Sequence, residues 1–165
     1  MHAAFVPAEW TSFFIATAGA AAALAGLLFV ALSINLARIM SFPSLPGRAG
    51  ETITILMEAL LASAFALVPG QSTRLLGVEL LVLGAIGLAV TVRLQLRTRS
   101  ATDPGRTYLA LRVAYVQAGT LPVVVGGISL IAGGGGGLYW IGLGVLLLFV
   151  ASVWNAWVLL VEILR

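Results

Sequence analysis

The sequence predicts an all-α membrane protein, a bundle of five transmembrane helices with its N-terminus outside and its C-terminus in the cytoplasm. Three observations predict it. Five long apolar runs, Thr11–Leu36, Thr52–Val68, Leu75–Val92, Val113–Ala132 and Leu138–Val161, are each close to the roughly 17–25 helical residues that cross a hydrocarbon core. Charged residues make up 9% of the 165 residues and the mean hydropathy is +1.10, whereas a soluble domain carries about 25% charged residues. Finally, if all five runs cross, Arg38, Arg48, Arg93, Arg97, Arg99, Arg106, Arg112 and Arg165 fall on one side and Arg74 on the other. An arginine excess of that kind marks the cytoplasmic face.

The first span is expected to start at Pro7, with Glu9 in its first turn at the positive end of the helix dipole and Trp10 at the outer interface. Ser12, Ala16, Gly19, Ala23, Gly26, Val30, Ser33 and Ala37 then recur at spacings of four and three. Such a small-residue seam lets transmembrane helices approach closely. Its partner is either a helix of the same chain or a second copy. The connection Ser41–Gly47 is broken by Pro43 and Pro46, and Pro46 suits the start of the second span. Arg48 and Glu51 are expected near the headgroups and Glu58 deeper, with Ala59, Ala62, Ser63 and Ala66 as the small face. Pro69-Gly70 ends this span.

The third span carries Gly77, Gly84 and Gly87, with Glu79 about one turn inside its outer end, where it could pair with Arg74. The segment 93–112 is the main cytoplasmic loop. Arg93 and Arg97 continue the third helix, Asp103-Pro104-Gly105 caps the fourth, and Arg112 is expected to snorkel to the interface. Pro122 and Gly126-Gly127 predict a kink in the fourth span. Gly133–Gly137 is an outer turn, and with no Lys-Ser or Lys-Thr after it, it is no phosphate loop. The fifth span opens with Tyr139-Trp140 and closes with Trp157, Glu162 and Arg165.

Residues 1–165 thus form a single integral membrane domain, since no polar stretch is long enough to hold a separate core. The net charge of +3 and pI near 10.2 follow from cytoplasmic arginines that attract anionic lipid headgroups, so nucleic acid is not an expected partner. The chain has no cysteine and one histidine, His2, which excludes disulfides, thiolate metal sites and cysteine nucleophiles. No Gly-x-Ser-x-Gly elbow or Asp/His cluster is present. No enzyme activity, catalytic residue, metal or cofactor is expected. All basic residues are arginine, and Ala, Gly, Val and Leu abound, which points to a GC-rich bacterial genome and its cell inner membrane. The first ten residues lack a basic region and include Glu9, so the N-terminus is expected to stay attached rather than be cleaved as a signal peptide.

The polar residues inside the spans carry the functional expectation. Asn35, Glu58, Gln117, Thr120, Ser152 and Asn155 all fall in the inner half of their helices. They form either a polar vestibule entered from the cytoplasm or hydrogen-bonding glue between helices. A carboxylate as deep as Glu58 costs about 2.5–3.5 kcal/mol on insertion scales and must be protonated, paired or hydrated. As glue it would meet Asn155, Gln117 or a carbonyl freed by Pro122. Arg93, Arg97, Arg99, Arg106 and Arg112, with Gln95, are the candidate contacts for anionic headgroups or an acidic partner segment.

The stretches Gly26–Asn35, Pro43–Glu51 and Pro69–Gln71 resemble small multi-spanning bacterial membrane proteins of no assigned activity. The resemblance covers the first half of the chain and implies an integral membrane protein without implying any chemistry. Five spans cannot divide into equal inverted halves, and the arginine bias argues against dual topology. Two functions fit: a homo-oligomeric channel or permeation subunit lined by the polar residues, or a non-catalytic regulator or assembly partner of another membrane protein. Either way the small-residue faces predict a parallel homo-oligomer.

Overall fold

The computed structural model describes residues 2–97 and 106–164, and every regular element among them is helical. Two 3-10 turns, His2–Phe5 and Pro7–Trp10, lead into α1 (Thr11–Ile34). The Trp10 indole donates to the Ala3 carbonyl at 2.8 Å and packs edge-on against Tyr139, ring centroids 4.9 Å apart. These contacts tie the N-terminal segment to the far end of the chain. The first helix was expected to run unbroken through Leu36, but it stops at Asn35. The Asn35 amide donates to the Ala31 carbonyl at 2.9 Å, beside the residue's own backbone N–H. A short polar side chain that competes for its own backbone favours such a break. A short helix, α2 (Leu36–Ser41), follows.

α3 (Leu45–Ala66) has Pro46 in its first turn, where a missing N–H costs nothing. α4 (Thr73–Arg97), α5 (Arg106–Ala132) and α6 (Leu138–Leu164) complete the chain. Five helical segments, at 7–34, 45–66, 73–97, 109–132 and 138–161, are long and apolar enough to cross a membrane. α5 passes Pro122 without interruption. The turn between α5 and α6 is made by glycines, four of them at positive φ (Gly133, Gly135, Gly136 and Gly137), a conformation that side chains with a Cβ resist.

α3 packs on α4 and α6, α5 packs on α4 and α6, and the four close into a ring. α1 lies outside the ring against α3. Phe14 of α1 joins Ile55, Leu80, Ile141 and Leu148 of the ring in one buried cluster. Burial runs opposite to apolarity: α3 and α5 are the least apolar spans and the most buried, whereas α1, α4 and α6 are more apolar and more exposed. Ile15, Leu27, Phe29, Val82, Ile86, Val150 and Trp154 all lie on the outside. A bundle that hides polar residues and shows apolar ones suits lipid as its solvent.

A close helix contact lies where sequence spacing gave the weaker signal. A Cβ on Gly77 would sit 2.9 Å from the Gly127 carbonyl, and one on Gly127 would sit 2.8 Å from the Gly77 carbonyl. α4 and α5 therefore touch backbone to backbone, as small residues permit. The long seam of α1 faces the other way. Ser12, Ala16, Gly19, Ala23, Gly26, Val30, Ser33 and Ala37 are all exposed, and nothing lies within 4 Å of a Cβ built on Gly19 or Gly26.

Candidate functional site

Three helices bring their polar residues to one interface. On α3, Glu51, Ile55 and Glu58 are spaced four and three residues apart and share a face. On α4, Gln95, Thr91 and Gly87 step back by four along the opposing face, and α5 adds Arg112, Gln117 and Thr120. All the side chains of this seam are buried. The seven residues from Glu51 to Glu58 carry it about 10 Å along the helix axis.

At one end of the seam, Arg112 donates through Nη2 to Glu51 Oε2 in an ion pair, while Gln95 Nε2 donates to Glu51 Oε1. Both carboxylate oxygens are thereby engaged. A buried ion pair is tolerable only under that condition, because desolvation otherwise outweighs the attraction. One level deeper, Gln117 Nε2 donates to Thr91 Oγ1 at 2.9 Å, and Thr91 Oγ1 donates to the Gly87 carbonyl at 2.7 Å. Deeper still, Thr120 Oγ1 donates to Glu58 Oε2 at 2.9 Å. A Cβ on Gly87 would stand 2.5 Å from that same oxygen. The Glu58 carboxyl lies directly on the α4 backbone, and glycine is what makes room for it.

Of the six residues expected in an inner vestibule, the structure brings Glu58, Gln117 and Thr120 into this seam. Asn155 sits at the α5/α6 interface, where its Oδ1 accepts from the Tyr115 hydroxyl. Ser152 is satisfied by its own helix, donating to the Phe149 carbonyl at 2.8 Å. Asn35 is separate from the seam. It lines an apolar groove between α1 and α6 that Ser152 also borders. The partner of Glu58 is Thr120, not Asn155, Gln117 or a carbonyl near Pro122. Glu58 Oε1, Gln117 Oε1 and Asn155 Nδ2 are buried without a hydrogen-bond partner.

Among the arginines, the expectation for Arg112 is corrected. It does not snorkel to the interface but is buried against Glu51. A carboxylate at the same level on a neighbouring helix offers a fixed, desolvated, hydrogen-bonded partner, which a mobile headgroup cannot match. Glu51 and Gln95 move with it, from the headgroup region and the loop to the sealed interior. Arg93 and Arg97 are exposed on the last turns of α4. Arg99 lies outside the described residues, as do Asp103-Pro104-Gly105, and Arg106 opens α5. At the opposite end of the bundle, Glu79 accepts from Gln71 Nε2 rather than pairing with Arg74.

Sequence reasoning missed the Glu51–Arg112 pair and the part played by Thr91 and Gly87. One signal was present. Glu51 stands one heptad before Glu58, so the two carboxylates had to share a face.

Comparison with family models, curated proteins and solved structures finds no match. What the fold and the seam define is a class: an all-helical bundle whose five long apolar helices are compatible with a multi-pass membrane protein.

Proposed function

We propose that this chain is a non-catalytic partner in the membrane, a helical unit that assembles against other transmembrane helices through α1. The observation that carries this reading is the outward-facing seam of α1. Eight small or β-branched positions at helical spacing, seven on α1 and Ala37 on α2, are exposed, and Gly19 and Gly26 face open space, in a setting where small residues are the usual means of helix association. The polar side chains that would have to line a permeation path are mostly engaged with one another between α3, α4 and α5. The arginine bias supports an N-terminus outside and basic connections in the cytoplasm, where Arg93 and Arg97 face anionic lipid or an acidic partner segment. A second copy of the chain is the simplest occupant of the seam.

Gly19→Leu with Gly26→Leu tests this reading. Both positions face open space, so the thermal midpoint in detergent should hold while the oligomer in nanodiscs, or the co-purified partner, is lost. Association that survives the double substitution would remove the reading.

A second reading, a permeation subunit, is favoured by one observation. Glu58 Oε1 and Gln117 Oε1 keep open acceptor positions inside the seam that leads from the Arg112 level to Glu58. Proton flux into liposomes by the pure protein, lost in Glu58→Gln, would favour it. The assembly reading expects no flux from either protein.

A further inference from the structure

Donors and acceptors around Glu58 do not balance. Thr120 Oγ1 spends its hydrogen on Glu58 Oε2, Thr91 Oγ1 spends its own on the Gly87 carbonyl, and Gln117 Nε2 donates to Thr91 Oγ1. A hydroxyl has a single hydrogen to give, so neither threonine serves a further acceptor. Glu58 Oε1 and Gln117 Oε1 are left buried without a partner, in residues 2% and 6% exposed. Both oxygens belong to one layer of the seam. Thr120, which holds Glu58, and Gln117 are three residues apart on α5; Gly87, against which the Glu58 carboxyl lies, and Thr91, which holds Gln117, are four apart on α4. Residues at those spacings are neighbours on one helix face. Charge does not balance either. Arg112 and Glu51 satisfy each other, and among the described residues no cation of the protein pairs with Glu58. Buried polar atoms rarely lack partners, and a bare carboxylate at this depth is costly. The unmatched charge and the two orphan acceptors lack the same thing, one positive charge that both oxygens can hold.

We propose that the seam binds one small monovalent cation at this level, between Glu58 Oε1 and Gln117 Oε1: a proton, or a sodium ion that displaces it. As a proton it sits on Glu58 Oε1, and the hydroxyl so formed donates to the Gln117 amide oxygen. As a sodium ion it takes both oxygens as ligands. Either occupant neutralises the carboxyl and fills both empty acceptor positions at once. A layer this sealed admits a small ion and not a large organic one. The site binds its cation whether or not ions cross the membrane, so it does not depend on the permeation reading, and binding rather than flux tests it.

The test uses the whole protein in a detergent without ester groups, at neutral pH and fixed ionic strength, in choline chloride and in sodium chloride. Infrared absorption reads a protonated carboxyl directly, as a carbonyl band that moves in heavy water. In choline the band should be present, and it should be absent in Glu58→Gln, whose amide supplies a donor in place of the cation. Sodium then separates the two occupants. If sodium displaces the proton, the band fades as sodium rises while the thermal midpoint climbs, and Glu58→Gln shows neither change. If the proton alone is held, the band persists and the midpoint ignores sodium. Gln117→Leu removes the second oxygen. It should move the band to higher frequency, or raise the sodium concentration at half effect by about tenfold, the worth of one polar contact to a charge. That variant keeps the inference testable if Glu58→Gln fails to fold. A spectrum in choline with no such band from Glu58 would overturn the inference, as would a band and a sodium response both untouched by Gln117→Leu.

Discussion

Glu51 and Glu58 show how two carboxylates on one helix face, one heptad apart, are settled by different means. Glu51 meets a cation and an amide; Glu58 meets a hydroxyl and a glycine backbone. The difference follows from what α4 and α5 present at each level. Because the Glu51 carboxylate is sealed, removing its cation leaves a buried unpaired charge, which costs about 3–5 kcal/mol. Arg112→Met should therefore lower stability by that order. Adding Glu51→Gln should recover much of the loss, because the charge is then gone as well. Thermal unfolding of the two single variants and the double variant in one detergent measures this coupling. An Arg112→Met protein as stable as the parent would mean that the pair is not a stabilising feature. The depth of Glu58 was legible from its place in an apolar run. Its partner was not, because Thr120 lies 62 residues away and looks no different from any other threonine in a helix.

At the scale of elements, apolar runs and proline and glycine punctuation were enough to locate the helices, since each boundary rests on local chemistry. Pro46 starts α3 and Gly133–Gly137 turns the chain. What local chemistry cannot supply is which face of a helix meets which neighbour. The seam of α1 is the clearer small-residue pattern, yet it faces outward. The sparser glycines of α4 and α5 make the close contact. A direct comparison follows. Gly127→Ala places a Cβ 2.8 Å from the Gly77 carbonyl and the Leu81 amide nitrogen, and overpacking of that kind costs about 1–3 kcal/mol. Gly26→Ala meets open space. The first should lower the thermal midpoint and the second should leave it unchanged or raise it. Equal effects would contradict the packing of α4 on α5. The break at Asn35 belongs to this scale too: one amide that bonds back to Ala31 divides an apolar run that reads as continuous.

For the whole molecule, the governing pattern is the inverse relation between apolarity and burial. α3 and α5 carry the polar seam into the interior, and the more apolar helices α1, α4 and α6 turn outward. If all five long helices cross, the termini lie on opposite sides. Because the chain has no native cysteine, single cysteines at positions 3 and 164 can be tested with a membrane-impermeant thiol reagent on intact cells. The arginine bias predicts that position 3 is labelled and position 164 is protected until the membrane is opened. Labelling of both would refute five crossings, and the reverse pattern would refute the orientation.

A composition suited to lipid and five helices long and apolar enough to span it were legible in the sequence alone. Both depend on composition and spacing along one stretch of chain, and water or lipid responds to those directly. The tertiary structure decided which polar groups face each other. It turned Arg112 from a surface anchor into the partner of a buried carboxylate, separated Asn35 from Glu58, and left the most regular packing face of the chain without an internal partner. The reason is that hydrogen bonds and ion pairs act over about 3 Å. Helices that meet across such a distance are separated in sequence by tens of residues, and their rotation about their own axes is set by the packing of every neighbour at once.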